Sequence, residues 1–255
     1  MKDIKIIVAT HKPYEMPIDK MYMPIHVGAE GKDNIGFQRD DCGINISDKN
    51  YSFCELTGLY WAWKNIEFDY LGLVHYRRHF KNNKGKANFS NVLKQKKLEE
   101  VLSFCDVVLP KKRRYFIESN RSQYLHAHHP EGLKLTEQVI SEKYPEYMQS
   151  FDTVMRKTSG HKFNMLIMKK EVLNSYCDWL FDILFTVEER LDISEWSKQE
   201  QRVFGYLAER LLDVWIFKNK IKYLELDYMF MEKQNLLKKG LSFLKRKFFG
   251  AKKKS

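Results

Sequence analysis

Histidine and arginine side chains follow a short apolar strand in the segment "FDYLGLVHYRRHF", residues 68–80. The run 70–74 is apolar and β-prone, which is typical of a buried strand. Directly after it come His75, Arg77, Arg78 and His79. So much positive charge beside a core strand costs solvation free energy unless an anion or a carboxylate lies nearby. We therefore expect an anionic ligand here, and phosphate or diphosphate fits best because guanidinium groups bind it in a forked geometry.

A structural alternative exists for the two arginines. Arg77 and Arg78 could pair with carboxylates such as Glu55 or Asp48 and so attach a helix to the sheet. Adjacent side chains of an extended strand point to opposite sides, so one arginine can pair internally while the other faces a ligand.

Strands and helices alternate along the chain. Apolar runs predict strands over 4–11, 23–29, 70–76, 106–110, 161–170 and 220–226. Helical periodicity predicts helices over 45–66, 94–105, 133–144, 147–155, 171–191 and 198–219. This alternation favours an α/β fold with a mostly parallel central sheet flanked by helices. Because ligands bind at the carboxyl ends of such strands, Thr10 and His11 are expected near the segment from His75 to Arg78.

The positive charge is unevenly distributed. The net charge is +11, and nine basic residues without an acidic one lie in 233–255, leaving about +2 for residues 1–232. In that last segment Leu237, Leu241, Leu244 and Phe248 fall on one helical face. We predict a globular domain, 1–232, and a basic amphipathic tail, 233–255, that binds an anionic membrane surface. A solvated tail, a helix docked on the body and a nucleic-acid-binding segment are the alternatives.

Several protein classes lack support in the sequence. There is no run of about 18 uncharged apolar residues, and the first apolar stretch is too short for a secretory signal. The four cysteines form no CxxC pair, which favours reduced thiols. Phosphate-loop, dinucleotide-binding, kinase and serine-hydrolase motifs are absent. A cytoplasmic protein, peripheral at the inner face of the cell membrane, is expected.

Metal binding has little support. The cluster "LHAHHP", 125–130, lacks the carboxylate or cysteine partners of a zinc site, so we expect its histidines in a loop that faces solvent or a substrate. The chain contains no Asp-x-Asp, the pattern with which many nucleotide-sugar transferases hold Mg²⁺ or Mn²⁺. We expect no required metal and no other cofactor, and at most a modest stimulation by Mg²⁺ or Mn²⁺.

Four long segments resemble one family. They are "ISDKNYSFCELTGLYWAWKN", "YLGLVHYRRHF", "FNMLIMKKEVLNSYCDWLFDILFTVEERLDIS" and "RVFGYLAERLLDVWI". In this order they resemble the DUF4422 family of bacterial capsular and exopolysaccharide glycosyltransferases over residues 3–228. The resemblance implies a GT-A-like fold and transfer of a hexose from a UDP-sugar to a lipid-linked or oligosaccharide acceptor in capsule, exopolysaccharide or O-antigen synthesis. Some relatives are described as galactofuranosyltransferases.

The resemblance and the residues together suggest roles for particular side chains. Donor binding is expected from Thr10, His11, Asn50, Glu55, Gly58 and Tyr76. Stabilisation of the departing diphosphate by fixed cations, in place of a metal, is expected from His75, Arg77 and Arg78. Asn164 and His128 are placed on the acceptor side, with a backbone hydrogen bond as the alternative role of Asn164.

The general base is the least determined role. His161 is our choice, with Glu200 and Glu209 as other candidates, and Glu209 with Arg210 is expected to form a salt bridge instead. Two other functions stay open at this point: a sugar-phosphate transferase that releases UMP or CMP, and a non-enzymatic nucleic-acid-binding protein.

Overall fold

The computed structural model describes residues 2–232. Within this range nine strands form one mixed sheet and two short strands form a second. The large sheet contains β1 (Ile4–Thr10), β2 (Tyr22–His26), β3 (Gln38–Arg39), β4 (Tyr70–His75), β5 (Arg78–Phe80), β6 (Val107–Pro110), β9 (Leu166–Lys169), β10 (Leu224–Leu226) and β11 (Tyr228–Phe230). The small one pairs β7 (Arg113–Arg114) with β8 (Ser159–Gly160).

Eight α-helices connect or cover these strands in the described range. They are α1 (Asn50–Phe53), α2 (Leu56–Asn65), α3 (Gln95–Val101), α4 (Asn120–Ala127), α5 (Pro130–Lys143), α6 (Met148–Arg156), α7 (Lys170–Arg190) and α8 (Val203–Lys218). Short 3-10 helices cover Ser47–Lys49, Phe89–Asn91 and Pro145–Tyr147.

The strand order along the main path is β10-β6-β9-β4-β1-β2-β3. Strand β1 is parallel to β2 and β4, whereas β9 is antiparallel to both β4 and β6. In the register of β1 and β4, Ala9 lies opposite His75. The carboxyl ends of β1, β2 and β4 therefore meet at one edge, and those of β6 and β10 lie along the same edge.

Apolar side chains on alternate faces of the strands place the sheet between two cores. On one face Ile7, Leu71 and Leu73 join side chains of α2, α7 and α8 in one buried cluster. On the other face Ile6 and Val8 join a second cluster, which includes side chains of α3 and β5. Because neighbouring strand residues point to opposite faces, a run that is apolar throughout can fill both cores. The predicted α/β architecture, a mostly parallel sheet flanked by helices, is confirmed.

Gly72 lies at the centre of this sheet, where β4 meets β9. A Cβ atom at this position would lie 2.9 Å from Ile167 Cγ1 and 3.1 Å from the carbonyl oxygen of Leu166. The missing side chain thus allows β9 to pack closely on the strand that ends in His75.

Two predicted elements differ from the structure because of backbone turns. The predicted helix 45–66 is divided at Cys54, whose φ of 56° and ψ of −131° end α1 before α2 begins. The predicted strand 161–170 starts only at Leu166, because Phe163 and Asn164 adopt left-handed conformations with φ of 73° and 53°. Such angles are uncommon for residues other than glycine and indicate conformations that tertiary contacts impose.

The histidine cluster, 125–130, differs from its predicted structure. His126 lies within α4 and His128 directly follows it, so the segment is a helix end and not the expected loop.

Among residues 2–232, no helix has the length and apolar character needed to cross a membrane. The predicted tail, 233–255, lies outside the described residues, and the division at residue 232 stays a prediction.

Candidate functional site

A cavity of about 500 Å³ opens at the carboxyl ends of β1, β2 and β4. We call it the strand-end cavity. The ends of the strands contribute Ala9, His11, Val27, His75, Tyr76 and Arg77, the turn between α1 and α2 contributes Asn50, Tyr51, Cys54 and Glu55, and the segment before α8 contributes Lys198, Gln201 and Arg202. Three regions far apart in sequence thus form a single cavity at the edge of the sheet where ligands bind in α/β proteins.

The lining of this cavity is strongly positive. Arg77, Lys198 and Arg202 line it, and the amino end of α8, which follows Arg202, adds the positive end of a helix dipole. Burial, together with the charges of Lys12 and Arg77, lowers the pKa of His11. Arg77 lies 3.7 Å from Glu232 in an ion pair in which both side chains are more than a third exposed, which leaves most of its charge free to attract a ligand.

Glu55 and His75 form a largely buried pair at the base of the cavity. Glu55 Oε1 accepts a hydrogen bond from Asn164 Nδ2 (2.7 Å) and lies 3.5 Å from His75 Nε2. Burial alone would raise the pKa of Glu55, but the charge of His75 and the hydrogen bonds around the carboxylate lower it to about 2. Glu55 is therefore ionised at neutral pH and supplies a fixed negative charge beneath the cations of the lining.

The hydrogen bonds of His75 leave one ring nitrogen available. Its Nε2 lies 2.9 Å from the carbonyl oxygen of Phe163, which can only accept, so Nε2 carries the proton of this bond. The other nitrogen, Nδ1, hydrogen-bonds with no residue in the described range. Since His75 lines the cavity, Nδ1 is the atom that can contact a ligand.

The loop 161–164 holds both members of this pair. Phe163 positions His75 through its carbonyl oxygen, and Asn164 positions Glu55 while also donating to the carbonyl oxygen of Gly205 (3.1 Å). Glu209 of α8 accepts a hydrogen bond from the backbone N–H of Phe163 (2.8 Å). The left-handed turn is thus fixed from several sides, and it aligns the catalytic candidates on β4 and α2.

A buried carboxylate, which sequence reasoning missed, holds the β2 side of the cavity. Asp40 accepts hydrogen bonds from the N–H groups of Gly28 and Ala29 and from the hydroxyls of Ser47 and Thr57, at 2.5 to 3.0 Å. Gly28 has φ of 62°, and a Cβ there would lie within 2.5 Å of atoms of the Asn50 side chain. Asp40 is therefore a structural anion that positions the loop next to the cavity.

Six predicted residues line the cavity, and several others do not. His11, Asn50, Glu55, His75, Tyr76 and Arg77 are in the lining. The side chain of Thr10 is buried and donates to the carbonyl oxygen of Lys12 (2.7 Å). Gly58 lies inside α2, where its missing side chain admits Val27. Both positions shape the cavity without lining it.

Arg78 points away from Arg77 and away from the cavity. Its guanidinium carbon lies 4.3 Å from the centre of the Phe163 ring and 5.5 Å from that of Phe230. Burial lowers the pKa of Arg78, and its Nε is buried without a hydrogen-bond partner in the described structure. The direct diphosphate contact predicted for Arg78 has no support in this geometry. The side chain instead supports the loop that holds His75.

The candidate general bases lie elsewhere. His161 is fully buried, with Nδ1 2.5 Å from Asp213 Oδ1 and Nε2 3.2 Å from Glu225 Oε1, and it is not part of the cavity lining. Glu200 contacts His129 at 3.0 Å near the end of α4. Glu209 pairs with Arg210 at 2.7 Å and lies 3.8 Å from Lys162, in line with the structural role expected of it. None of the three reaches the cavity.

His128 is also outside the strand-end cavity. Its ring stacks on Tyr206 with a centroid distance of 4.0 Å. His126 pairs with Glu118 at 2.6 Å, and His129 stacks on Trp196. The acceptor-side role of His128 stays a prediction, whereas all three imidazoles have packing or ionic partners of their own.

Four functional candidates were not found from the sequence: Tyr51, Lys198, Gln201 and Arg202. Lys198, Gln201 and Arg202 occupy one side of the segment that leads into α8, because Gln201 and Arg202 follow Lys198 by three and four residues. Arg202 Nε lies 3.1 Å from Cys54 Sγ. Burial raises the pKa of that thiol to about 12, so Cys54 is unsuited to be a nucleophile.

The described part of the chain provides no set of side chains arranged to bind a metal ion. Within residues 2–232, no group of three or more histidine, cysteine, aspartate or glutamate side chains is arranged to hold a metal ion. The donors of the strand-end cavity are instead guanidinium, ammonium and imidazole groups. They suit an anionic ligand directly.

Replacing Lys162 with methionine is expected to stabilise the protein. Lys162 is buried, with its ammonium group 3.8 Å from Glu209. Burial, with the charge of Arg210, lowers the pKa of Lys162 from 10.5 to about 7. The folded protein therefore disfavours the charged form of Lys162. The free energy of unfolding rises as the pH increases from about 7 to about 10, and the buried charge destabilises the protein fully below about pH 7. Urea unfolding should show a gain of about 1–3 kcal/mol at about pH 6 that shrinks toward about pH 10.

The half-exposed Lys169 gives the matched control for this measurement, the variant Lys169→Met. It should show no such pH dependence. A Lys162→Met variant that is less stable than the parent at about pH 6 would show that the contact with Glu209 outweighs the burial of the ammonium group.

Comparisons with known proteins agree with this architecture. The family model described as "Domain of unknown function (DUF4422)" matches residues 5–220. A solved structure described as the apo structure of the bifunctional glycosyltransferase WbbM is similar to this chain, with a TM-score of 0.83 and 30% identity over 91% of the chain. The match covers 46% of the WbbM chain, so this chain spans about half the length of that protein. No curated protein matches the chain.

The structural match and the family match each test an expectation from the sequence. The close match to WbbM confirms the glycosyltransferase-like fold expected from the resemblance. The family match covers most of the chain and includes all four segments that suggested it, at least in part. This chain belongs to the DUF4422 family.

Proposed function

We propose that the chain is a glycosyltransferase that uses a nucleotide-sugar donor. The observation that carries this proposal is the strand-end cavity, where Arg77 from the strand ends and Lys198 and Arg202 from the segment before α8 border a space of about 500 Å³ above the largely buried pair Glu55–His75. Pockets of this size accommodate small-molecule ligands, and the charge favours a diphosphate. The similarity of the chain to WbbM, which is described as a bifunctional glycosyltransferase, supports the same assignment.

Transfer requires that the bond between the anomeric carbon and the diphosphate oxygen breaks, with the electron pair leaving on the diphosphate. An acceptor hydroxyl attacks the anomeric carbon and loses its proton. Arg77, Arg202 and Lys198 are placed to stabilise the charge that develops on the diphosphate, because they are already oriented around the cavity. The ring of His75 is held through Nε2, which donates to the carbonyl oxygen of Phe163 and lies 3.5 Å from Glu55 Oε1, so Nδ1 has a defined position toward a ligand.

The group that accepts the proton of the acceptor hydroxyl must lie within hydrogen-bond reach of it. His161 is too deeply enclosed for this role, since its side chain is fully buried and its two ring nitrogens contact the carboxylates of Asp213 and Glu225. In the lining, His11, His75 and Glu55 carry groups able to accept a proton, and the lowered pKa of His11 keeps its imidazole neutral at neutral pH.

We further propose a UDP-hexose donor, with UDP-galactofuranose as the first candidate, and catalysis without an essential metal. Fixed cations supply the charge stabilisation that a metal supplies in other transferases. A screen of nucleotide sugars for protection against thermal unfolding tests the donor class, because a ligand that binds only the folded state raises the unfolding temperature. We expect UDP and one UDP-hexose to protect the parent protein.

The same screen is repeated with EDTA, and donor turnover is measured by UDP release. Activity should persist with EDTA, and Mn²⁺ should stimulate it only modestly. Protection by no UDP-sugar, but by another nucleotide class, contradicts the proposed donor. Complete loss of turnover in EDTA that Mn²⁺ restores contradicts the role of the fixed cations.

We propose a lipid-linked glycan as the acceptor, at the inner face of the cell membrane. This proposal rests on the composition of 233–255, with nine basic residues and an apolar stripe. Removing 233–255 should leave turnover on a short water-soluble acceptor unchanged but release the protein from anionic liposomes. Equal liposome binding by the full and shortened chains would refute the membrane role of this segment.

A further inference from the structure

We propose that a second cavity, between the residues that follow β6 and those that precede β10, binds a phosphate group carried by a ring-shaped or apolar body. We call it the lysine-rimmed cavity. It has a volume of about 310 Å³ and is lined by Lys112, Val154, Lys157, Ser159, Asp213, Ile216, Phe217, Lys220, Ile221 and Tyr223. None of these residues belongs to the strand-end cavity.

Three ammonium groups surround this cavity with little compensation from carboxylates. Lys157 and Lys220 form no ion pair with a residue in 2–232, whereas Lys112 donates to the Tyr223 hydroxyl (2.6 Å) and lies 3.8 Å from Glu225. Burial and the nearby charge of Lys112 lower the pKa of Lys157. Like charges held this close repel one another, and a bound anion relieves that repulsion.

The carboxylates next to the cavity are already engaged. Asp213 accepts hydrogen bonds from the backbone N–H of His161 (2.9 Å) and from its Nδ1 (2.5 Å), while Glu225 contacts His161 Nε2 (3.2 Å). The buried imidazole therefore engages both carboxylates. Lys157 and Lys220 are exposed in the lining, an arrangement that suits a multiply charged phosphate.

The remaining wall is apolar and includes an exposed aromatic ring. Phe217 is 44% exposed, and Lys157 Nζ lies 4.1 Å from the centre of its ring. Ile216 and Ile221 lie beside it in the lining. An exposed ring next to cations provides a stacking surface for the part of a ligand to which the phosphate is attached.

The position of α8 separates this cavity from the strand-end cavity. Arg202, which precedes the first residue of α8, lines the strand-end cavity, and Phe217, in its last turn, lines the lysine-rimmed cavity. A 16-residue helix is about 24 Å long, so one phosphate group cannot occupy both places. The inference therefore stands whether or not the proposed transferase activity is correct.

Isothermal titration of the full chain with phenyl phosphate, dodecyl phosphate and inorganic phosphate tests this site. The double variant Lys157→Met, Lys220→Met should weaken binding of phenyl phosphate at least about tenfold, in line with the loss of charge-assisted contacts. Phe217→Ala should weaken phenyl and dodecyl phosphate but leave inorganic phosphate unchanged. Lys218→Met is the matched control, because this neighbouring lysine lies over the Tyr147 ring and outside the cavity lining.

The Arg202→Ala variant and lipid vesicles complete the experiment. If Arg202→Ala abolishes phenyl phosphate binding, the anion occupies the strand-end cavity and the inference is wrong; equal binding by the double variant and the parent also overturns it. Phosphatidylcholine vesicles that contain phosphatidic acid distinguish the sources of the phosphate. Weaker vesicle binding by the double variant than by Lys218→Met assigns a lipid headgroup, and an effect on phenyl phosphate alone assigns a water-soluble phosphate ester.

Discussion

Replacement of Glu55 by glutamine is expected to lower kcat by about 100- to 1,000-fold with little change in the donor KM. Glutamine has nearly the same shape and can still accept the hydrogen bond from Asn164 Nδ2. It lacks the negative charge that lies 3.5 Å from His75 Nε2. The ring would lose the partner that fixes its charge and orientation, so the expected defect lies in the chemical step.

The pH dependence of unfolding provides a separate check on Glu55. The pKa of Glu55 is lowered to about 2 from 4.5, so the folded protein favours the ionised form. The stabilisation from this shift is present above about pH 4.5 and is lost as the pH falls toward about 2. The difference in unfolding free energy between the parent and Glu55→Gln should therefore shrink over this acid range.

A matched carboxylate variant separates the general effect of removing a negative charge from the specific effect of removing the Glu55 charge. Glu137 pairs with Arg121 at 2.9 Å on the surface, and Glu137→Gln should keep the parent's kcat. If Glu55→Gln turns over the donor at the parent's rate, the pair Glu55–His75 has no part in the reaction.

Loss of Arg202 is expected to weaken UDP binding by about 1.5–3 kcal/mol, or about 10- to 150-fold. Loss of Arg77 is expected to weaken UDP binding by an amount near the lower limit of this range. Arg202 is half-buried and held by Cys54, so its guanidinium group is oriented before the ligand arrives. Arg77 is more exposed and already contacts Glu232. Affinities of Arg202→Ala and Arg77→Ala for UDP, measured by titration calorimetry, give these values.

Arg78→Met is the informative comparison because this arginine adjoins Arg77 in sequence but packs on Phe163. Its UDP affinity should stay within a few-fold of the parent's, although its unfolding temperature should fall. The charge effects should also decrease at high salt, most clearly for the exposed Arg77. If Arg77→Ala and Arg202→Ala both bind UDP as tightly as the parent, the strand-end cavity is not the diphosphate site.

The local sequence contains enough information to predict the strands at the centre of the site. Residues 6–9 of β1 and 70–74 of β4 are apolar runs because both faces of the sheet are buried, and polar residues mark the strand ends at His11 and His75. Their parallel pairing follows from the helices between them. The place of the cavity and several of its lining residues could therefore be predicted.

Other parts of the site depend on contacts that local patterns do not reveal. Cys54 interrupts a segment with uninterrupted helical periodicity, and its unusual backbone angles are maintained by packing against Arg202 and Gly205. Arg202 reaches the cavity only because α8 packs across the sheet. The orientation of Arg78 and the burial of His161 likewise depend on neighbours more than 40 residues away in sequence, such as Phe163 and Asp213.

The loop 161–164 has a consequence for attempts to change which donor sugar the proposed transferase accepts. Substituting Glu55, His75 or Asn164 would disturb several buried hydrogen bonds at once, so a library that varies them would consist largely of inactive proteins. Lys198 is exposed and the side chain of Gln201 donates to the carbonyl oxygen of Ile193 (3.2 Å), yet both line the same cavity. Selectivity can thus be engineered from the segment before α8, where side chains can vary while the buried framework of the cavity is preserved.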